Sequence, residues 1–262
     1  MTGGPTLRRV LVGIGILVGV WLVVPTLVVV PISFSGEDSF AFPPSSWGLE
    51  HYATFFTESS WLTSLLVSLQ IALIVTVVAT LLGTAAALAL DRTSFRGRGA
   101  LDGLFMAPLI IPGIVVAVAL YAAFLGWGLI GTPLGFVVAH TVLALPFVVV
   151  NVAAALQNVD PVLGRAAAGL GASGWATFRQ VTLPIIRPGV LAGALFAFVT
   201  SFDEVVVSLF VQSPQLQTLP VRMFTSVTNE VDPTIAAAST VVLVVSTALL
   251  GLVALTRRKS TP

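Results

Sequence analysis

The sequence contains six apolar runs, and each is long enough to cross a lipid bilayer as one α-helix. A hydrocarbon core of about 30 Å requires about 20 apolar residues at the helical rise. Only 9% of the 262 residues are charged and 56% are hydrophobic, whereas a soluble domain carries about 25% charged residues. The predicted spans are residues 10–32, 62–90, 104–125, 133–156, 189–211 and 235–256.

These runs predict an all-α membrane protein with about six transmembrane helices in a single domain, residues 1–262. Strands of a membrane barrel would be segments of about ten residues with alternating polarity, and helices satisfy their own backbone hydrogen bonds in lipid. The first run follows Arg8 and Arg9 and is longer than the ~7–15 residues of a signal-peptide core, so we expect it to remain as a span.

The basic residues predict the orientation. Cytoplasmic loops are enriched in Lys and Arg, and eleven of the twelve basic residues fall on one side if there are six spans. Only Arg222 falls on the other side, and the first outer loop holds four acidic residues and no basic one. Both termini and residues 157–188 are therefore predicted to be cytoplasmic. The aromatic-rich segment 33–61 is predicted to be external, either as an aromatic belt at the membrane surface or as a docking surface.

Residues 157–188 form a loop with helix signals of its own. Asp160 followed by Pro161 is typical of a helix N-cap and its first residue, and Gly169 and Gly171 are suited to end that helix. Ser173 can cap a second short helix that places Trp175 and Phe178 on one face, and Leu183-Pro184 is predicted to end it. The pattern predicts a knob projecting into the cytosol or a loop packed back on its own bundle.

This loop resembles the EAA loop of bacterial ABC-importer permeases. The resemblance rests on Ala166-Ala167, on Gly171 and on Val181-Thr182-Leu183-Pro184, and it implies a helix that docks into a cleft of an ATPase subunit. Arg165 stands where the family has an acidic residue, which we interpret as a sign of a compensating acid on the ATPase. The residues implied in coupling are Arg165, Ala166, Ala167, Gly171, Ala172, Ser173, Trp175, Phe178, Leu183 and Pro184.

Three further segments, residues 200–207, 218–223 and 232–237, resemble the second permease subunit of spermidine/putrescine-type importers. The resemblance implies the MetI-like permease fold in a bacterial inner membrane and a non-catalytic chain without cofactor. It implies a heterodimer with a second permease, two copies of an ABC ATPase that bind ATP and Mg, and an external substrate-binding protein. No nucleic-acid partner is expected.

Two acids interrupt the fifth predicted span, and they are candidates for a substrate pathway. A charge near the bilayer centre costs at least about 2.5 kcal/mol, so it faces a polar cavity or a partner. We predict a pathway for a cationic solute formed by Ser201, Phe202, Asp203 and Glu204. The alternative for Asp203 is a structural acid that reaches the outer interface or pairs with a buried partner. For His140, a hydrogen bond between helices is favoured over a ligand role.

Several other chemistries lack the residues that they require. The pattern Gly169-x-Gly171-x-x-Gly174 has no preceding strand, the single lysine is Lys259, and the chain has no cysteine and two isolated histidines. A dinucleotide site, a P-loop and a metal cluster are therefore not predicted. Other importer substrates, such as ferric iron or thiamine, and a self-sufficient secondary transporter remain as alternatives.

Overall fold

The computed structural model describes residues 5–92, 96–229 and 232–258, and the regular elements of these residues are helices. The twelve α-helices are α1 (Pro5–Ser33), α2 (Glu50–Thr57), α3 (Ser59–Arg92), α4 (Arg98–Ile110), α5 (Gly113–Trp127), α6 (Pro133–Leu156), α7 (Pro161–Gly169), α8 (Gly174–Thr177), α9 (Leu183–Phe202), α10 (Val206–Val211), α11 (Leu219–Asn229) and α12 (Thr234–Arg258). A π turn, Phe178–Thr182, joins α8 to α9. The described residues outside these helices form turns, bends and two isolated β-bridges.

Four helical runs among the described residues are long and apolar enough to cross a membrane. They are Leu7–Ser33, Ser59–Asp91, Pro133–Leu156 and Gly174–Phe202, and the bent pair α4 and α5 makes a fifth if it is one span. The apolar part of α12 in the described residues, Thr234–Leu249, is shorter. The predicted all-α membrane fold is confirmed, and Lys259 of the basic tail lies outside the described residues.

The third predicted span, 104–125, is broken rather than continuous. The helices α4 and α5 meet at an angle of 107°, and Ile111 and Pro112 between them have extended backbone with ψ of 132°. A proline disfavours the helical conformation of the residue before it and removes a backbone donor. This explains the break between α4 and α5.

The fifth predicted span, 189–211, is shifted toward the N-terminus. Its helix runs without a break from Gly174 through the π turn to Phe202, because Leu183-Pro184 does not end the preceding helix. In the π turn, the Leu183 N–H donates to the Phe178 carbonyl five residues back. This wider turn gives the helix an irregular point at which it accommodates Pro184.

The chain divides into two units. The first consists of Met1–Leu62 and Thr225–Val245 and contains α1, α2 and the start of α12. Residues 7–27 of α1 are exposed throughout. The loop after α1 is tied by the Ser33 hydroxyl, which lies 2.7 Å from the Tyr52 hydroxyl, and by the backbone bridge between Ser35 and Trp47.

The second unit, Thr63–Phe224 with Ser246–Pro262, is centred on the packing of α6 against α9. Glycines bring these helices close together, as is common between membrane helices. A Cβ on Gly193 would lie 2.9 Å from the Val148 Cα, and one on Gly189 would lie 2.7 Å from the Asn151 carbonyl oxygen. Val148 itself is fully buried, so the glycines place two helix backbones in direct contact.

Candidate functional site

The loop between α6 and α9 begins with a well-capped helix, α7. The Asp160 side chain accepts a hydrogen bond of 2.8 Å from the Val162 N–H, and Pro161 is the first helical residue. At the other end, Gly171 has φ of +83°, and the Gly171 and Ala172 N–H groups donate to the Ala168 and Ala167 carbonyls. This pair of bonds is a Schellman motif, which requires the left-handed conformation that glycine adopts at little cost.

The second part of the loop is capped as the sequence predicted, but it continues into the membrane helix. The Ser173 hydroxyl accepts a hydrogen bond of 3.2 Å from the Ala176 N–H at the start of α8. The chain then passes through the π turn directly into α9. A displacement of α8 would therefore be transmitted to α9 through continuous helix, since no flexible segment separates them.

The tip of the loop exposes large apolar side chains. Leu170 is 89% exposed and Trp175 is 69% exposed, and the Trp175 ring contacts the Phe178 ring at 5.4 Å between centroids. Arg165, Ala166 and the turn at Gly171 are exposed as well. An exposed apolar patch rimmed by polar residues is typical of a protein interaction surface.

A cleft of about 480 Å³ lies between the loop and the ends of α3 and α6. Two carboxylates, Asp91 and Asp160, are among its lining residues. The rest of the lining comes from small and apolar residues: Leu156, Val159, Pro161, Gly164, Ala168, Ala172, Gly174, Thr177, Val181 and Thr182. The loop is therefore only partly packed against the bundle. This arrangement is intermediate between the two predictions, a knob that projects into the cytosol and a loop packed back on its own bundle.

A second candidate site is the break between α9 and α10. The last backbone bond of α9 joins the Asp203 N–H to the Val199 carbonyl, and the first of α10 joins the Leu209 N–H to the Val205 carbonyl. Between them, the Glu204 carboxylate accepts hydrogen bonds from the Val207 N–H at 3.0 Å and from the Ser208 N–H at 2.8 Å. Glu204 thus satisfies donors at the start of α10 that have no helical partner.

The two adjacent acids differ in their surroundings. The Asp203 side chain is exposed, whereas Glu204 is half-buried. Of the other two predicted pathway residues, Phe202 is buried and stacks on Phe198 at 5.5 Å between centroids, and Ser201 is buried against His140. The residue whose polar group is presented at the surface of this chain is therefore Asp203.

His140 of α6 bridges the two helices that flank the break. Its Nδ1 atom lies 2.9 Å from the Ser201 hydroxyl of α9, and its Nε2 atom lies 2.9 Å from the Ser208 hydroxyl of α10. The predicted hydrogen bond between helices is confirmed, and Ser208 is a partner that was not among the predicted residues. No local signal points to Ser208, because Ser201 and Ser208 lie on two different helices, α9 and α10.

Comparison with protein families matches residues 79–260 to a model described as the binding-protein-dependent transport system inner membrane component. The matched range includes both the loop and the break. The chain belongs to this family. Its members are inner-membrane components of transport systems that depend on a binding protein, in agreement with the apolar helices described above.

The relatives of this inner-membrane component include polyamine permeases. The chain is 34% identical over 239 residues to the spermidine/putrescine transport system permease protein PotC of Haemophilus influenzae, and the match covers 90% of this chain and 91% of that one. It is 38% identical over 167 residues to PotC of Escherichia coli strain K12, covering 63% and 62% of the two chains. It is 30% identical to the putrescine transport system permease protein PotI of Escherichia coli strain K12, covering 84% and 80%.

Solved structures show the same fold. A chain of a bacterial ABC transporter involved in the import of the acidic polysaccharide alginate has a TM-score of 0.75, with 14% identity and 98% of each chain covered. The alginate transporter in complex with a pentasaccharide-bound periplasmic protein gives a TM-score of 0.74 with 16% identity, covering 98% of this chain and 95% of that one. At this identity the likeness supports the fold of this inner-membrane component and says nothing of its substrate.

Proposed function

We propose that this chain is the second permease subunit of an ATP-driven importer of polyamines such as spermidine and putrescine. The observation that carries the proposal is the 34% identity to a spermidine/putrescine permease over 90% of the chain. The exposed carboxylate of Asp203 at the helix break supports it, because a polyamine is a cation at neutral pH and a carboxylate is its natural partner. The chain itself carries no catalytic group in this proposal.

The pathway for the substrate runs past the break between α9 and α10. Asp203 lies 20 residues after Leu183, which corresponds to about 30 Å along a helix, so it sits near the outer end of the span in the proposed orientation. Both termini and the loop between α6 and α9 are cytoplasmic in this orientation. Ser201, Phe202 and Glu204 support the position of Asp203, through the bonds to His140, the ring stack and the cap of α10.

The loop between α6 and α9 couples the pathway to ATP hydrolysis. Its exposed apolar tip, Leu170 and Trp175, docks on an ATPase subunit that binds ATP and Mg. The movement passes from α8 through the π turn into α9, because these elements form one continuous helix. Since α9 ends next to Asp203, the same helix links the docking surface to the substrate pathway.

The proposed assembly contains this chain, a second permease, two ATPase subunits and an external binding protein. Arg165 lies on the exposed surface of α7, so it can pair with an acidic residue of the ATPase. A charge-swap suppressor screen tests this pairing. Recovery of Arg165→Glu by a basic substitution on the ATPase is expected, and a screen that recovers none contradicts the pairing.

The experiment for the substrate is ATP-dependent uptake of labelled spermidine and putrescine into vesicles that contain the full complex. Replacement of Asp203 by Asn is expected to raise the half-saturating concentration about 10- to 100-fold, because a hydrogen bond to a charged group contributes about 1.5–3 kcal/mol. Asp102→Asn, which neutralises an exposed acid of α4 outside the segment 33–61, is the matched control and is expected to leave uptake unchanged.

Two results would contradict parts of the proposal. An assembled complex that hydrolyses ATP and takes up neither polyamine removes the substrate assignment, and ferric iron and thiamine are then the next substrates to assay. Unchanged uptake by Asp203→Asn in a folded complex removes Asp203 from the pathway. In that case Asp203 is a structural acid at the outer interface.

A further inference from the structure

We propose that His140 is a positioning residue that latches the break between α9 and α10 and thereby fixes Asp203 in the substrate pathway. The inference rests on the proposed function for its transport readout, but its structural readout is independent of the substrate. It concerns three side chains, named here the latch: His140 of α6, Ser201 of α9 and Ser208 of α10.

The latch is complete and buried. His140 and Ser208 have no exposed surface, and Ser201 is 3% exposed. A neutral imidazole has one donor and one acceptor nitrogen, so one nitrogen donates to a serine oxygen while the other accepts from the second hydroxyl, in either tautomer. Both nitrogens of His140 are thereby satisfied, and each serine hydroxyl has a buried side-chain partner.

The geometry of the latch favours the break. In a continuous helix, parallel side chains seven residues apart would be separated by about 10 Å at 1.5 Å per residue. The latch consists of two hydrogen bonds of 2.9 Å and an imidazole ring whose nitrogens are about 2 Å apart. It therefore spans at most about 8 Å between the two serine oxygens. Straightening α9 and α10 into one helix would therefore stretch the two bonds unless both serine side chains turned toward each other, so the latch favours the broken conformation.

The surroundings hold the imidazole in place. The Phe136 ring, one turn earlier on α6, meets the His140 ring edge to face at 5.7 Å between centroids. Fully buried Ala197 and Val207 lie on the two helices that the latch joins. Loss of a hydrogen bond at such a buried site is more costly than the loss of a solvated bond, because the remaining polar group is left with fewer partners.

The latch acts on Asp203 through the backbone. Asp203 lies two residues after Ser201, and Glu204 caps the helix that contains Ser208. With both hydroxyls held by one ring, the turn of Asp203, Glu204 and Val205 has little freedom to change. The carboxylate of Asp203 is therefore held in a fixed position toward the pathway although His140 itself is not expected to contact the substrate.

The first test measures the shape of the break directly. The chain contains no cysteine, so spin labels on cysteines introduced at Phe196 and Val206, which are 44% and 41% exposed, report on this chain alone when the partner subunits are cysteine-free. We expect His140→Phe to lengthen and broaden the distance between the labels in the assembled complex. An unchanged distance distribution overturns the latch, whatever the substrate is.

The second test separates positioning from stability by uptake kinetics in the same complex. His140→Phe is expected to raise KM for the polyamine about tenfold, the effect of losing one to two buried hydrogen bonds, with a smaller change in kcat. His140→Gln, which retains a donor and an acceptor, is expected to recover part of the loss. The control is Ser68→Ala, because the Ser68 hydroxyl accepts a buried 2.7 Å hydrogen bond from the Leu219 N–H away from the break.

The variants Ser201→Ala and Ser208→Ala provide the test if His140→Phe does not assemble. Each removes one bond of the latch and leaves the ring in place, and each is expected to raise KM and to broaden the label distances. Equal changes in KM for Ser68→Ala and for the latch variants would overturn the positioning role. Failure of the wild-type complex to take up polyamines would instead refute the proposed function, while the label distances would still decide on the latch.

Discussion

The glycines that face Val148 give a prediction whose size follows from the distances. A Cβ on Gly193 would lie 2.9 Å from the Val148 Cα, whereas a Cβ on Gly83 would lie 2.7 Å from the Val148 Cβ and Cγ1 atoms. Carbon atoms prefer separations of about 3.5–4.0 Å. Gly193→Ala must therefore push the backbones of α6 and α9 apart, while Gly83→Ala conflicts only with a side chain.

Each substitution alone is expected to cost about 1–3 kcal/mol, the usual effect of overpacking a core. Combining each glycine substitution with Val148→Gly distinguishes a clash with the backbone from a clash with a side chain. For Gly83→Ala the second substitution removes both clashing atoms, so we expect a coupling energy of about 1–3 kcal/mol that favours the double variant. For Gly193→Ala the clash with the Cα persists, so we expect a coupling energy below about 0.5 kcal/mol.

The assay is reversible unfolding of the purified chain in mixed micelles, followed by circular dichroism. Gly103→Ala in α4 is the reference, because a Cβ at Gly103 has no neighbour within 4 Å. Every Gly→Ala substitution in a helix gains about 1 kcal/mol of helix propensity, and this gain cancels when the other variants are compared with the reference. Equal coupling energies for the two pairs, or a Gly193→Ala variant as stable as the reference, would refute the argument that two backbones are in contact at Gly193.

Three further predictions concern the two sites. Glu204→Ala is expected to destabilise the chain by about 1–2 kcal/mol, because α10 loses both capping bonds. Glu204→Gln retains an acceptor and is expected to cost less. Thermal unfolding in detergent measures the stability of both variants, and equal losses would contradict the cap. Gly171→Ala is expected to destabilise the turn by about 1–2 kcal/mol through the left-handed backbone alone, with Gly171→Asn milder. Uptake per ATP hydrolysed is therefore expected to fall further for Gly171→Ala than for Gly171→Asn, and equal losses would argue against the backbone origin. Leu170→Glu is expected to weaken ATPase binding at least tenfold in pull-down titrations. Ala100→Glu is the control for an added charge, because Ala100 is exposed and lies between the second and third predicted spans. Unchanged binding by Leu170→Glu would place the docking surface elsewhere.

The sequence predicted those features that depend on local signals. The caps at Asp160 and Ser173 and the glycine turn at Gly171 each follow from the chemistry of one or two residues. The apolar runs predicted the membrane helices for the same reason, because length and composition suffice when the solvent is lipid.

The breaks in the fifth span and the latch could not be predicted in the same way. A run that is apolar on all sides carries no periodicity, so it does not show where one helix ends and the next begins. The end of α9 depends on Glu204 capping the next helix, and the continuation through Leu183-Pro184 depends on a π turn. The partner of Ser201 and Ser208 is 61 and 68 residues distant in sequence, beyond the reach of local signals.

The break explains how two adjacent acids can lie in a membrane span and serve different purposes. Glu204 accepts two hydrogen bonds at the N-terminus of α10, where the helix dipole is positive and offsets its charge. Asp203 follows the last residue of α9, at the negative end of a 20-residue helix, so its charge is reinforced rather than offset. The field at Asp203 therefore favours a cation and disfavours an anion, and Asp203→Asn would remove the carboxylate charge while leaving the contribution of the helix. A residual preference for cations in that variant is what this arrangement requires.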